Sequence, residues 1–221
     1  MSMKITSFGH SCVLVEVAGA AILFDPGNFS AGFEGLTGLD AILITHQHPD
    51  HADQARLPDL VAANPDAVRY ADPQTAAILN ADGSMGQWSV LGPGDTIGLG
   101  DLTVRGTGGR HAVIHPDIPV VDNTVYILDA PGRPAAFMHP GDSFYIPFER
   151  IDVLALPAAA PWMKLSESVD YLRGAAPRTA FPIHQAVQSD PGRAIHNSRI
   201  DEMKPDGTEF VIIEPGESRE F

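Results

Sequence analysis

The densest chemistry in the chain lies at Thr45-His46-Gln47-His48-Pro49-Asp50-His51. Three imidazoles and a carboxylate crowded together are the nitrogen and oxygen donors that zinc and related divalent ions take. In extended backbone, residues i and i+2 face the same way, so His46 and His48 can clasp one ion. Pro49 biases His48 away from helical backbone and keeps the segment open. Asp50 and His51 point along other directions and are placed to serve a second ion. A solvated polar loop is the ordinary reading of one histidine in such a place. Four donors at this spacing make it the weaker reading here.

Such a loop needs a rigid support. Residues 41–44 form a short, continuous apolar run, the pattern of a strand covered on both faces. This strand delivers the motif onto a loop, where α/β proteins place their chemistry. Upstream, residues 5–8, 12–17 and 20–24 read as strands, with Ala18-Gly19 as a hairpin turn and Asp25-Pro26-Gly27 as an abrupt stop. Downstream, helices are expected over 53–63, with Pro58 as a blemish, over 73–80, and over 166–174 with Ser166 as N-cap. Strands are expected at 67–70, 89–91, 96–99, 102–107, 124–128, 135–138, 151–156, 179–183 and 210–213. With no linker and no short repeat, a single α/β domain over 1–221 is the simplest architecture.

The composition is that of an ordinary globular protein, 44% hydrophobic and 19% charged, and 221 residues can bury a sizeable core. The formal net charge of -14, from 14 Lys+Arg against 28 Asp+Glu, repels a phosphate backbone and anionic lipid. Nucleic-acid and membrane partners are therefore not expected. A small anionic substrate stays open, because bound cations reverse the field inside a pocket. A lone Cys12 rules out an intramolecular disulfide. No apolar segment follows Lys4 as in a signal peptide, and no run approaches the ~20 apolar residues of a membrane span. A cytoplasmic location is expected, and self-association is left open.

The motif 45–51 resembles the His-x-His-x-Asp-His signature of the metallo-β-lactamase superfamily, in its stand-alone metal-dependent hydrolase form. The likeness extends over most of the chain. Phe8-Gly9-His10-Ser11-Cys12 and Ile22-Leu23-Phe24-Asp25-Pro26 resemble the opening strands. Gly109-Arg110-His111, His139-Pro140-Gly141-Asp142-Ser143 and Phe181-Pro182-Ile183-His184 are similar to its later motifs, in the same order. The resemblance implies an αβ/βα four-layer sandwich of two mixed sheets with helices on the outer faces. It implies one ion held by His46, His48 and His111, a second by Asp50, His51 and His184, and Asp142 bridging both. Two divalent ions, zinc by donor type with manganese or iron also acceptable, would share a bridging hydroxide as nucleophile. Asp50 would double as ligand and proton shuttle. Cys12 matches no ligand position, which argues against true β-lactamase activity.

Other residues are candidates for supporting roles. Asp25 is placed to accept a hydrogen bond from a ligand imidazole, or simply to start a turn. His115, His139 and His10 each lie near a motif and could contact substrate or ligands, whereas His196 is expected at the surface. Trp162 and Met163 form an apolar turn. Phe29, Phe33 and Phe144 fit core or cover better than a substrate wall. The Gly-rich segment 28–39 could form a mobile flap. The expected function is hydrolysis of an ester, lactone, amide or phosphodiester bond of a small molecule. The alternative is an iron-dependent redox enzyme of the same fold acting on oxygen or sulfur species. A nuclease would need basic surface, and a non-catalytic scaffold would not need an intact ligand set.

Overall fold

Antiparallel strands open the chain. β1 (Met3–Ser7) pairs with β2 (Val13–Val17), and β2 with β3 (Ala20–Phe24), across a turn where Ala18 and Gly19 both have positive φ. The pairing then becomes parallel through β4 (Ala41–Ile44), β5 (Val68–Ala71) and β6 (Ser89–Val90). The same change of sense recurs in the second half. β7 (Thr96–Leu99), β8 (Leu102–Gly108), β9 (Thr124–Ala130) and β10 (Arg133–His139) pair antiparallel. β11 (Val153–Pro157), β12 (Thr179–Ile183) and β13 (Glu209–Phe210) continue in parallel. β14 (Ser218–Glu220) returns to the outer edge beside β1. Two seven-stranded mixed sheets result, ordered β14-β1-β2-β3-β4-β5-β6 and β13-β12-β11-β10-β9-β8-β7. The computed structural model describes residues 2–81 and 83–221.

Alternation within the central strands builds the layers. Ala41 and Leu43 of β4 face the core between the sheets, together with Phe24, Tyr126, Phe137 and Phe181. Ile42 and Ile44 face the opposite way, toward α1 (Leu57–Ala63) and α2 (Pro73–Ala81), which contribute Leu57, Leu60, Ala76 and Leu79. In β11, Val153 and Ala155 point inward, while Leu154 and Leu156 meet Val169 and Leu172 of α3 (Leu165–Ala175) and Ile200 of α4 (Asp190–Met203). Each fully buried Val, Leu, Ile or Phe among them contributes about 1.5–3 kcal/mol relative to exposure. The architecture is the four-layer sandwich implied by the resemblance. Both central strands are buried along their whole length, so the loops leaving their C-terminal ends start from a rigid base.

Several elements differ from expectation. The helix expected from residue 53 begins at Leu57, because the Asp53 carboxylate accepts from Ala55 N and closes a turn first. Pro58 then falls in the first helical turn, where its missing N–H costs little. α3 is capped two residues earlier than expected: Glu167 Oε2 accepts from Lys164 N at 2.6 Å. α4 was not foreseen. Its sequence, DPGRAIHNSRIDEM, buries only Ile200 and shows no apolar stripe. The signal available was Ser189, which accepts from Gly192 N at 3.3 Å, followed by a proline in the first turn. Segment 28–39 is strapped rather than free: Phe33 is fully buried, and Arg56 stacks on it while donating to Ser30 O and Gly27 O. Among the described residues, no helix is long and apolar enough to cross a membrane.

Candidate metal centre

Asp25 anchors the motif loop. It follows β3 with φ of 45°, an uncommon conformation for a non-glycine residue, and is fully buried. Its Oδ1 accepts from Thr45 N, and its Oδ2 accepts from Thr45 Oγ1 (2.7 Å) and His51 Nδ1 (2.6 Å). The His51 ring is thereby fixed with Nε2 directed away from Asp25. Close packing of this loop requires Gly27, since a Cβ there would lie 1.7 Å from Asp50 O.

The second half supplies the remaining donors from three strand ends. His111 follows β8, and its Nδ1 donates to Ala112 O at 2.5 Å. Asp142 lies in the turn after β10. Asn123, fully buried, clamps that turn by donating to Pro140 O and accepting from Asp142 N, both at 2.9 Å. His184 ends β12 at φ of 65°, and its Nδ1 donates to Ala159 O at 2.8 Å.

These elements gather two clusters. His46, His48, His111 and Asp142 form one, and His10, Asp50, His51 and His184 the other. Within each, the donor atoms all lie within 4.8 Å of one another. Asp142 faces both clusters: its Oδ2 is 3.3 Å from His111 Nε2 and 3.2 Å from His184 Nε2, and its Oδ1 is 3.2 Å from His51 Nε2. All seven positions of the implied ligand set are therefore together at one place. Asp50 and His48 are its partly exposed members, so solvent reaches the centre on their side.

The two clusters are charged differently. Burial, aided by the charges of neighbouring imidazoles, pushes His46 well below its ordinary pKa and lowers His48. In the other cluster burial acts the same way but loses. The Asp142 and Asp25 carboxylates hold His51 above its ordinary value, and Asp142 and Asp50 push His184 up to about 9. Burial likewise fails to raise the acids. A hydrogen bond from His10 and the nearby His184 imidazole hold Asp50 below the usual carboxylate range, and the charges of His51 and His184 hold Asp142 there.

The donor set fits metal. The Nε2 atoms of His51, His111 and His184, and Oδ1 of Asp142, are buried without a hydrogen-bond partner. Buried polar atoms are seldom left so, and converging imidazole and carboxylate lone pairs are what a divalent ion takes.

The other candidate residues separate. His10 belongs to the second cluster: its Nε2 donates to Asp50 Oδ2 at 3.0 Å, its ring centroid lies 4.0 Å from that of His184, and its carbonyl accepts from His184 N. Burial pushes its pKa down to about 4, which leaves it a neutral donor. His139 supports the Asp142 turn: Nε2 donates to Ser11 O, Nδ1 accepts from Gly141 N, and the ring stacks on Phe24. His115 is not brought to the centre. Its side chain is 60% exposed, and its Nδ1 accepts from Asp117 N. His196, expected at the surface, is half-buried and donates to Ala158 O. Asn123 and Trp162 were not singled out as site residues by sequence. Nothing in the sequence marks Asn123. Trp162 was read as part of an apolar turn, yet its indole N–H reaches Asp142.

Comparison with known proteins agrees with this geometry. The Beta-lactamase superfamily domain matches residues 4–184. Protein Rv0786c of Mycobacterium tuberculosis is 54% identical over 98% of both chains. A UPF0173 metal-dependent hydrolase of Xanthobacter autotrophicus is 33% identical over 64% of this chain and 62% of its own. Among solved structures, the metallo-beta-lactamase fold protein YhfI of Bacillus subtilis superposes with a TM-score of 0.76 at 19% identity, covering 100% of this chain and 99% of that one. Sandwich, paired clusters and relatives together define the class as metal-dependent hydrolase. Within that class, the chain belongs to the beta-lactamase superfamily.

Proposed function

We propose that the protein holds two divalent metal ions and hydrolyses an ester, lactone, amide or phosphodiester bond of a small molecule. The observation that carries this reading is the convergence of buried, unpartnered imidazole nitrogens from both halves of the chain on Asp142. His46, His48 and His111 would hold one ion, Asp50, His51 and His184 the other, with Asp142 between them. When bound, such a pair supplies a hydroxide nucleophile near neutral pH and polarises the substrate oxygen. Asp50 is the partly exposed acid of the centre and is placed to pass a proton between nucleophile and leaving group, with His10 steadying its Oδ2. Zinc suits the His/Asp donors, and manganese or iron would also be accepted. A cleft of about 310 Å³ is lined by His10 of the second cluster and by Phe29, which stands edge-on to it, and suits a small molecule. The acidic charge speaks against nucleic acid and fits a cytoplasmic enzyme acting on small molecules.

The test is a substrate panel of lactones, phosphodiesters, thioesters and β-lactams, run on protein purified without added metal and with its metal content measured. Hydrolytic turnover that tracks two metal equivalents per chain is the expected result. Stoichiometric iron with no hydrolysis of any panel member would overturn it in favour of the redox reading.

A further inference from the structure

Trp162 lies in the crossover between β11 and α3, on a segment that carries no ligand of either cluster. The segment is nevertheless tied to the centre. Ala159 O accepts from His184, a ligand-cluster imidazole, and Ala158 O accepts from His196. From this strap the indole reaches back over the clusters. Its Nε1 donates to Asp142 Oδ2 at 2.8 Å. Its ring stands edge-on to His111 of one cluster and His184 of the other, at centroid distances of 5.7 and 6.3 Å. Phe144, itself packed on Tyr171, backs the indole at 5.2 Å.

The contact matters because of what Asp142 must do. A carboxylate offers about four lone-pair directions. A carboxylate shared by two ions uses two of them, and it can rotate about its terminal bond unless another group fixes the plane. Asn123 fixes the backbone of Asp142 but does not touch its side-chain oxygens. Among the described residues, Trp162 Nε1 is the hydrogen-bond donor outside the histidine clusters that reaches the carboxylate. Indole N–H is donor only, so it cannot compete for an ion.

We propose that Trp162 is a positioning residue for the metal pair: its indole N–H sets the plane of the Asp142 carboxylate, and its ring closes the side of the centre formed by His111 and His184. The proposal rests on the two-ion reading of the site and assigns a role to a residue outside the ligand motifs.

The decisive variant is Trp162→Phe, which keeps an aromatic ring against Phe144 and His111 but removes the donor. Zinc affinity, measured by competition with a chromophoric chelator, is expected to fall by about 10-fold or more. The visible bands of the cobalt(II)-loaded protein are expected to change with the Asp142 geometry. Trp162→Ala should weaken zinc no more than about twofold beyond Trp162→Phe, since the donor is already lost. Wild-type zinc affinity and cobalt bands in Trp162→Phe would overturn the proposal. So would a loss confined to Trp162→Ala, which would mean that only packing matters. A measurement on the unaltered protein guards against misfolded variants. The chain has two tryptophans, and the Trp162 indole proton of the zinc-loaded protein should resist solvent exchange in NMR spectra. Free exchange would sink the idea. One zinc per wild-type chain would refute the two-ion reading, yet the affinity ratio of Trp162→Phe to wild type would still decide the role of Trp162.

Discussion

The two ligand clusters are neighbours, share Asp142, and are wired by different rules. In the first, His46, His48 and His111 surround the carboxylate, and burial drives His46 and His48 toward the neutral form. These imidazoles are ready to bind a cation. In the second, His51 and His184 are held toward the protonated form by Asp25, Asp50 and Asp142, so the cluster is a buried ion-pair network before any ion arrives. A buried carboxylate group keeps its charge only when paired, and here protons on histidine do the pairing. An entering ion must replace them. On the two-ion reading, equal numbers of ligands would not make equal sites: the first would accept metal directly, and the second would exchange protons for it.

The largest effect should come from removing what the clusters share. Asp142→Ala leaves His51, His111 and His184 facing one another without the carboxylate between them, and should lower turnover by more than the ~100-fold upper range seen for groups that only support ligands. Metal content by mass spectrometry should fall at both clusters. If one full equivalent stayed bound with unchanged affinity, the clusters would be independent and the shared carboxylate a misreading. Asp25→Asn tests the wiring of one side. Three donors converge on the Asp25 oxygens, and an amide would turn its own NH2 toward at least one of them. The weaker-binding equivalent should lose about 10–100-fold in affinity. The other equivalent should change less, because Asp25 meets His46 only through Thr45.

The charge difference is tested by pH. His51 and His184 have raised pKa values, so at pH 7 they hold protons that metal must expel, and those protons leave unaided only as pH climbs past about 9 for His184. Apparent affinity at the second cluster should therefore rise between pH 7 and 9, by about 10-fold per pH unit for each proton displaced. His46 and His48 have lowered values and are already neutral there, so the first cluster should stay nearly flat. The same sign governs the metal-free protein. Stabilisation from the raised histidines is complete below their ordinary value near 6.5 and is lost as pH rises through the folded value. Calorimetric titration in buffers of different ionisation enthalpy counts the protons released. Equal release from both equivalents would erase the distinction.

The two halves also differ in how much of them can be read in the sequence. The N-terminal donors lie on one loop, so His46, His48, Asp50 and His51 announce themselves by spacing alone. The C-terminal donors His111, Asp142 and His184 are single residues at separate strand ends, legible only through resemblance to a family whose order of motifs is known. The strands were legible because both halves bury continuous or alternating apolar runs, as in β4, β8 and β11. α4 was not, because a helix that buries one residue has no periodicity to detect. The supporting contacts were mostly hidden. Asp25 was open between two readings, and only the tertiary fold shows it bonded to His51. Asn123 and Trp162 act on Asp142 from 19 and 20 residues away, which no local pattern records.

The smallest effect concerns the loop beside the first cluster. His115 follows His111 by four residues, a spacing that suggests a shared role. The loop spends that spacing on a turn: Ile118 N donates to His115 O, and the imidazole is spread into solvent against Asp117. Ile114 and Ile118 of the same loop, not His115, line a small pocket together with His48 and His111. His115→Ala should therefore change metal affinity and turnover by less than about twofold, the range of surface substitutions that disturb no buried contact. Kinetics on the metal-loaded variant checks this. A tenfold loss of turnover with unchanged metal affinity would show that the loop folds over the first cluster when substrate binds, bringing His115 inward. The first cluster, open at His48, would then be the one completed by substrate, and the second, already closed by its own charges, the one completed by metal alone.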